Sequence, residues 1–194
     1  APRPATGTYT MLFQPGSGGA LATKEFPQGF GHGTVTLSTT GTVSVAGKLA
    51  DNTAISMSTT LSQTGTWRLF VQLYTGLQGF LAGNVTINHA DSDSDFEAPD
   101  TRWVRPILDT QHYPLGWTEG ITVDTFGSRY IVTAGQSVLP LNQATGTGNG
   151  NADLTFSDAQ LAANVVKQVD ISPTDTVAEV PVDATYNLTI SRTT

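Results

Sequence analysis

GHGTVTLSTTGTVSVAGKLADNTAISMSTTLSQTGTWRLFVQLYTGLQGFLAGNVTI, residues 31–87, decides the fold of this chain. Apolar and polar residues alternate through it in short runs. Val35 and Leu37 share one face, and Val43 and Val45 continue it after a turn, while Thr36, Thr42 and Ser44 take the other. Side chains of a strand point alternately to its two sides, so β-branched residues in this pattern predict half-buried antiparallel strands. STTG at 38–41, ADNT at 50–53 and SQTG at 62–65 are turns, with Gly41 suited to a positive φ. A third strand points Ile55, Met57 and Leu61 inward. A fourth lines one face with Trp67, Leu69, Val71 and Leu73 and the other with Arg68, Phe70, Gln72 and Tyr74. A fifth, over 79–88, carries Leu81, Val85 and Ile87, and TRWVRP at 101–106 begins a sixth. Strands recurring roughly every ten residues between tight turns predict an all-β fold, an antiparallel up-and-down meander forming a barrel or a sandwich. Phe70 and Tyr74 lie opposite Trp67, so this strand is expected to be covered on both sides, and the two aromatics are its expected interface residues.

Beyond residue 106 the pattern is less regular. YPLGW at 113–117 reads as a Pro/Gly loop, and GITVDTF and SRYIVTAG read as two strands. A glycine-rich loop at 146–150 leads to a strand at 153–156. Ser157 could cap a short helix, but the β-branched VVKQVDIS favours strand or loop. Tyr186, Leu188 and Ile190 alternate with polar residues near the end. A single β domain over 1–194 is expected, with a sub-division near 110–120 as the alternative.

Composition bounds the function. Charged residues make up 13% of the chain, against roughly 25% in an average globular protein. Threonine, serine, glycine and asparagine fill the gap, a composition suited to a secreted or cell-surface β protein. With no cysteine, disulfides and thiolate metal sites are excluded. A net charge of −7 offers no basic stripe to a nucleic acid or to an anionic membrane surface. No apolar run is long enough for a membrane-spanning helix. The chain opens at Ala1, as one would after removal of a signal peptide or as a segment cut from a larger protein.

The densest charge cluster is HADSDSDFEAPDTRW, residues 89–103. Asp91, Asp93 and Asp95 match the first three ligand positions of an EF-hand loop, but Phe96 stands where glycine must turn the chain and Arg102 where a glutamate must close the cage. A looser Ca²⁺ site with Glu97 or Asp100 is weighed against a solvated acidic hairpin tip, and the tip is favoured; no cofactor is expected. Carboxylates on such a turn stay ionised, which argues against glycosidase chemistry, the one enzyme class the sequence raises. Trp103, Trp117 and Tyr113 could stack on sugar rings or fill the core. His32, His89 and His112 have no zinc-ligand spacing, no GxSxG elbow is present, and the glycine-rich loops at Gly16 and Gly146 lack the lysine of a phosphate cradle. NVT at Asn84 and NLT at Asn187 match the N-glycosylation pattern, both expected within strands.

The ordered landmarks at residues 33–37, 47–51, 61–67 and 79–87, then TRWVRP and YPLGW, resemble a β-rich module of large secreted and cell-surface repeat proteins of environmental bacteria. The likeness spans about residues 7–130. It implies an extracellular β module without established catalysis and carries over no functional residue. Such modules continue past a strand like YNLTISRTT into a further strand, whereas this chain stops at Thr194. The resemblance thus raises two expectations: that the chain is a fragment, or that another molecule supplies that strand. The expected function is therefore non-catalytic: a structural or surface protein that assembles with itself or docks on a larger surface protein, by β-strand complementation. The alternative is an extracellular glycan-binding module using Trp103, Trp117 and Tyr113.

Overall fold

The computed structural model describes residues 6–16, 25–76, 78–88, 95–129, 131, 139, 141, 150–156 and 162–190. The chain forms two compact units, 1–130 and 131–194.

The first unit is all antiparallel β. Its strands are β1 (Gly7–Pro15), β2 (Gly31–Leu37), β3 (Thr42–Lys48), β4 (Ala54–Thr60), β5 (Thr66–Leu73), β6 (Gly79–Ile87), β7 (Phe96–Arg105) and β8 (Trp117–Arg129). They form one sheet in the order β4-β3-β2-β1-β8-β7-β6-β5. Each half is a meander, and the first and last strands join them, Met11 standing opposite Gly127. The outer strands β4 and β5 come into contact, so the sheet curls into a nearly closed barrel. The inward set follows the alternation. Met11, Phe13, Val35, Val45, Leu69, Leu81, Val85, Phe96 and Val123 are buried side by side in one core. Eight strands leave an interior that side chains fill.

One turn design recurs four times among the described residues. At residues 38–42, 49–53, 62–66 and 172–176 the first residue's N–H bonds the fifth residue's carbonyl, and the fourth residue's N–H bonds the first residue's carbonyl. The fourth residues, Gly41, Asn52, Gly65 and Asp175, all take a positive φ, as a three-residue hairpin loop requires. In three of the turns a serine, Ser38, Ser62 or Ser172, also accepts the fifth residue's N–H on its Oγ.

Two features bend the sheet. Gly33 faces Gly47 across β2–β3, and a Cβ on Gly47 would stand 2.3 Å from the His32 carbonyl oxygen and 2.6 Å from Gly33 Cα. The backbones meet where only glycine fits. In β7, register shifts against both β6 and β8 flank Pro99 and Asp100. Proline lacks the N–H a ladder needs, so a bulge is where an interior strand tolerates it.

The boundaries differ from the sequence reading in three places. The sixth expected strand starts at Phe96, not Thr101, because Phe96 is an inward core residue inside the acidic stretch. GITVDTF and the start of SRYIVTAG are one strand, β8. Residues 181–190 form no strand despite their alternation. Tyr186 instead donates its hydroxyl to the Gln168 carbonyl. Asn84 thus lies in a strand and Asn187 does not.

The second unit holds a three-stranded antiparallel sheet in the order β11-β10-β9, with β9 Ala152–Phe156, β10 Val165–Ile171 and β11 Val177–Val180. Val169 and Ile171 are its buried apolar residues.

Candidate functional site

The most elaborate polar arrangement in the first unit is a buried ion cluster whose members come from separate strands and loops. Asp51 is the third residue of the 49–53 turn. Its Oδ1 accepts the Thr53 N–H at 2.9 Å, which finishes the turn. Its Oδ2 is left to reach inward, where it accepts the Tyr74 hydroxyl at 2.7 Å and Arg105 Nε at 3.1 Å. Trp103 Nε1–H donates to the Tyr74 hydroxyl at 3.1 Å, so donors run from Trp103 through Tyr74 to Asp51.

Arg105 is the hub and is only 4% exposed. Burying a guanidinium is costly unless its donors and its charge are both met. Here Nε pairs with Asp51, Nη1 donates to the Tyr113 carbonyl, and Nη2 donates to Thr110 Oγ1 at 3.0 Å. The guanidinium carbon lies 5.6 Å from the ring centroids of both Tyr74 and Trp117, within reach of their negative faces. The cation therefore fastens the 106–116 connection to the barrel. Trp117 stands edge-on to Trp103 at 4.6 Å, and Tyr113 packs on it at 5.7 Å.

Two tyrosines hold left-handed backbones to make this contact, Tyr74 at φ 56° and Tyr113 at φ 55°. That conformation costs a non-glycine residue about 1–2 kcal/mol. The left-handed twist at Tyr74 ends the alternation of β5. The ring leaves the outer face, where the period-2 pattern puts it, and turns inward onto Gly79. A Cβ on Gly79 would stand 2.3 Å from Tyr74 Cδ2. Burial, followed by the charge and hydrogen bond of Asp51, raises the Tyr74 hydroxyl pKa well above its ordinary 10.0, which keeps the proton in place for donation. Each polar group described in the cluster is engaged by another, so the arrangement can lock a loop and close a barrel end. The Trp117 indole N–H, by contrast, has no partner among the described residues.

The aromatic trio Trp103, Trp117 and Tyr113 is brought together, but inside the protein. Trp103 is 1% and Trp117 4% exposed, and Tyr113 is half-buried above them. Sugar stacking needs an open ring face, which the two tryptophans lack. Asp91 and Asp93 lie outside the described residues. Asp95 accepts the Arg129 N–H at 2.5 Å and packs at the start of β7. Among the described residues no three His, Asp or Glu side chains gather as a metal site would need. Phe70 projects outward and is 60% exposed, whereas Tyr74 does not share its face. Sequence reasoning missed Asp51 and Arg105. Their signal was present in the landmarks LAD and WVRP, but a turn aspartate and a strand-end arginine look alike whether buried or solvated.

The fold and the cluster together define an antiparallel eight-stranded barrel with a filled interior and one end fastened by a buried arginine. Comparison with protein-family models, curated proteins and solved structures found no match to this chain.

Proposed function

We propose that this chain is a non-catalytic structural module of a secreted or cell-surface protein, working by self-assembly or by docking on a larger surface protein through strand complementation. The observation that carries this reading is the seam of the barrel. β4 and β5 touch, yet among the described residues no hydrogen-bonded ladder joins them, and the sheet order ends at these two strands. Edge strands with free backbone groups are acceptors for a further strand. An added strand would open the seam to about twice the ~4.8 Å strand spacing. The second unit supports the same reading. Phe156 and Val165, cross-strand partners on β9 and β10, are both exposed, and exposed apolar pairs at a sheet margin favour a partner. The low charge content and the likeness of the landmarks to surface modules support a role outside the cell.

Analytical ultracentrifugation across a wide concentration range, paired with hydrogen exchange, tests the proposal. Amides of β4 or β5 should exchange quickly in dilute protein and become protected as larger species form. A chain that stays monomeric at millimolar concentration and does not protect β4 or β5 when mixed with strand peptides would sink it.

A further inference from the structure

The outer face of β5–β7 carries a second feature that the assembly reading does not use. Phe70 lies exposed on it, and Phe80 stands beside it with ring centroids 6.3 Å apart and planes 27° from parallel. Two open depressions flank Phe70. One is lined by Arg68, Asn84 and Asp100, the other by Gln72, Phe80 and Arg102. Arg68 precedes Phe70 by two residues on the same strand and so shares its face, and Arg102 pairs with Ala82, the cross-strand partner of Phe70. Both arginines are exposed and have no carboxylate partner among the described residues. Arg102 does give one N–H to the Glu119 carbonyl. The chain has 16 acidic and 9 basic residues, so two unpaired guanidiniums beside one aromatic pair run against its general charge.

The chemistry of this face selects its ligand. Flat aromatic rings accept the apolar C–H face of a pyranose. Amides read hydroxyls, and guanidinium forks pair with carboxylates in two parallel hydrogen bonds. A second protein copy fits less well. A stable protein interface buries about 800 Å² per partner around an apolar centre, and here two rings are ringed by amides, hydroxyls and charges. We propose that this face binds an acidic polysaccharide, a pyranose lying on Phe70 and uronate carboxylates meeting Arg68 and Arg102.

Affinity electrophoresis of the full chain in native gels containing polygalacturonate, dextran or dextran sulfate tests this, with circular dichroism as the folding control. Polygalacturonate should retard the chain and neutral dextran should not. Phe70→Ala, and separately the pair Arg68→Gln with Arg102→Gln, should each weaken the retardation at least fivefold while leaving the thermal midpoint within a degree or two, since all three side chains are exposed. The proposal would be overturned by no retardation by polygalacturonate, by retardation that Phe70→Ala leaves intact, or by equal capture by dextran sulfate, which would mean charge attraction alone. Were Phe70→Ala to change the sedimentation of the chain without any polysaccharide, the face would belong to a second copy and the proposal would equally fail. Strand-edge protection is read by a different measurement, so the assembly reading stands or falls separately.

Discussion

Replacing Asp51 with alanine should be among the most damaging single changes at the barrel end. The substitution removes the countercharge of Arg105, the acceptor of the Tyr74 hydroxyl and the side-chain brace of the 49–53 turn at once. Both charged side chains are nearly inaccessible, 5% for Arg105 and 3% for Asp51, so water cannot replace the lost partner without opening the site. Removing one member of such a buried pair costs about 3–5 kcal/mol, against a total stability of about 5–15 kcal/mol for a domain. Asp51→Asn keeps a single acceptor oxygen, enough for the Thr53 N–H or for the Tyr74 hydroxyl but not for both, and loses the charge; it should cost roughly 1.5–3 kcal/mol. The double variant Asp51→Ala with Arg105→Met removes the stranded cation and should recover part of the loss. Urea unfolding followed by tryptophan fluorescence is the assay. Trp67, Trp103 and Trp117 all lie in the first unit, so the signal reports the barrel alone. A loss under about 1 kcal/mol for Asp51→Ala would place the pair in the range of solvated surface bridges. A loss in the double variant equal to the sum of the losses of Asp51→Ala and Arg105→Met measured singly would show no coupling. Either result refutes the reasoning.

Further outcomes follow from other parts of the barrel. Gly47→Ala sets a Cβ against the backbone of His32 and Gly33, which cannot swing aside. It should cost about 3 kcal/mol, the upper end for overpacking, or prevent folding. Gly29→Ala, with open space around it, should be near neutral by the same urea titration. Burial raises the pKa of both Tyr74 and Tyr9 above the ordinary 10.0, with nearby Asp51 and Asp95 adding to it. A raised folded pKa gives stability that is complete below pH 10.0 and is lost as pH climbs beyond it, where unfolded tyrosines ionise first. Melting temperatures measured from pH 9 upward should therefore fall steeply past about 10, and Tyr74→Phe should fall less steeply from a lower starting value; an unchanged slope would contradict the assignment.

Much of the barrel was legible because its determinants are local. Alternation from Thr34 to Leu73 fixed which side chains of β2–β5 face the core, and the serine–threonine–glycine turns fixed where each strand ends. Locality also explains the failures. Tyr186, Leu188 and Ile190 alternate as a strand would, yet no strand forms there, since a strand needs a neighbour's ladder as well as a pattern. Phe96 sits in the acidic stretch but belongs to the core, packed edge-on to Trp67 at 5.3 Å.

Side-chain period and turn chemistry act within a few residues, so they suffice to make this chain antiparallel β and to set where its first strands and tight turns lie. The tertiary structure alone decided that β1 pairs with β8, that Asp51 meets Arg105 across 54 residues of chain, and that Tyr74 turns inward while Phe70 stays out. Those outcomes depend on which strands become neighbours when the sheet curls, and on a left-handed residue whose cost is met only by the contacts that closure creates.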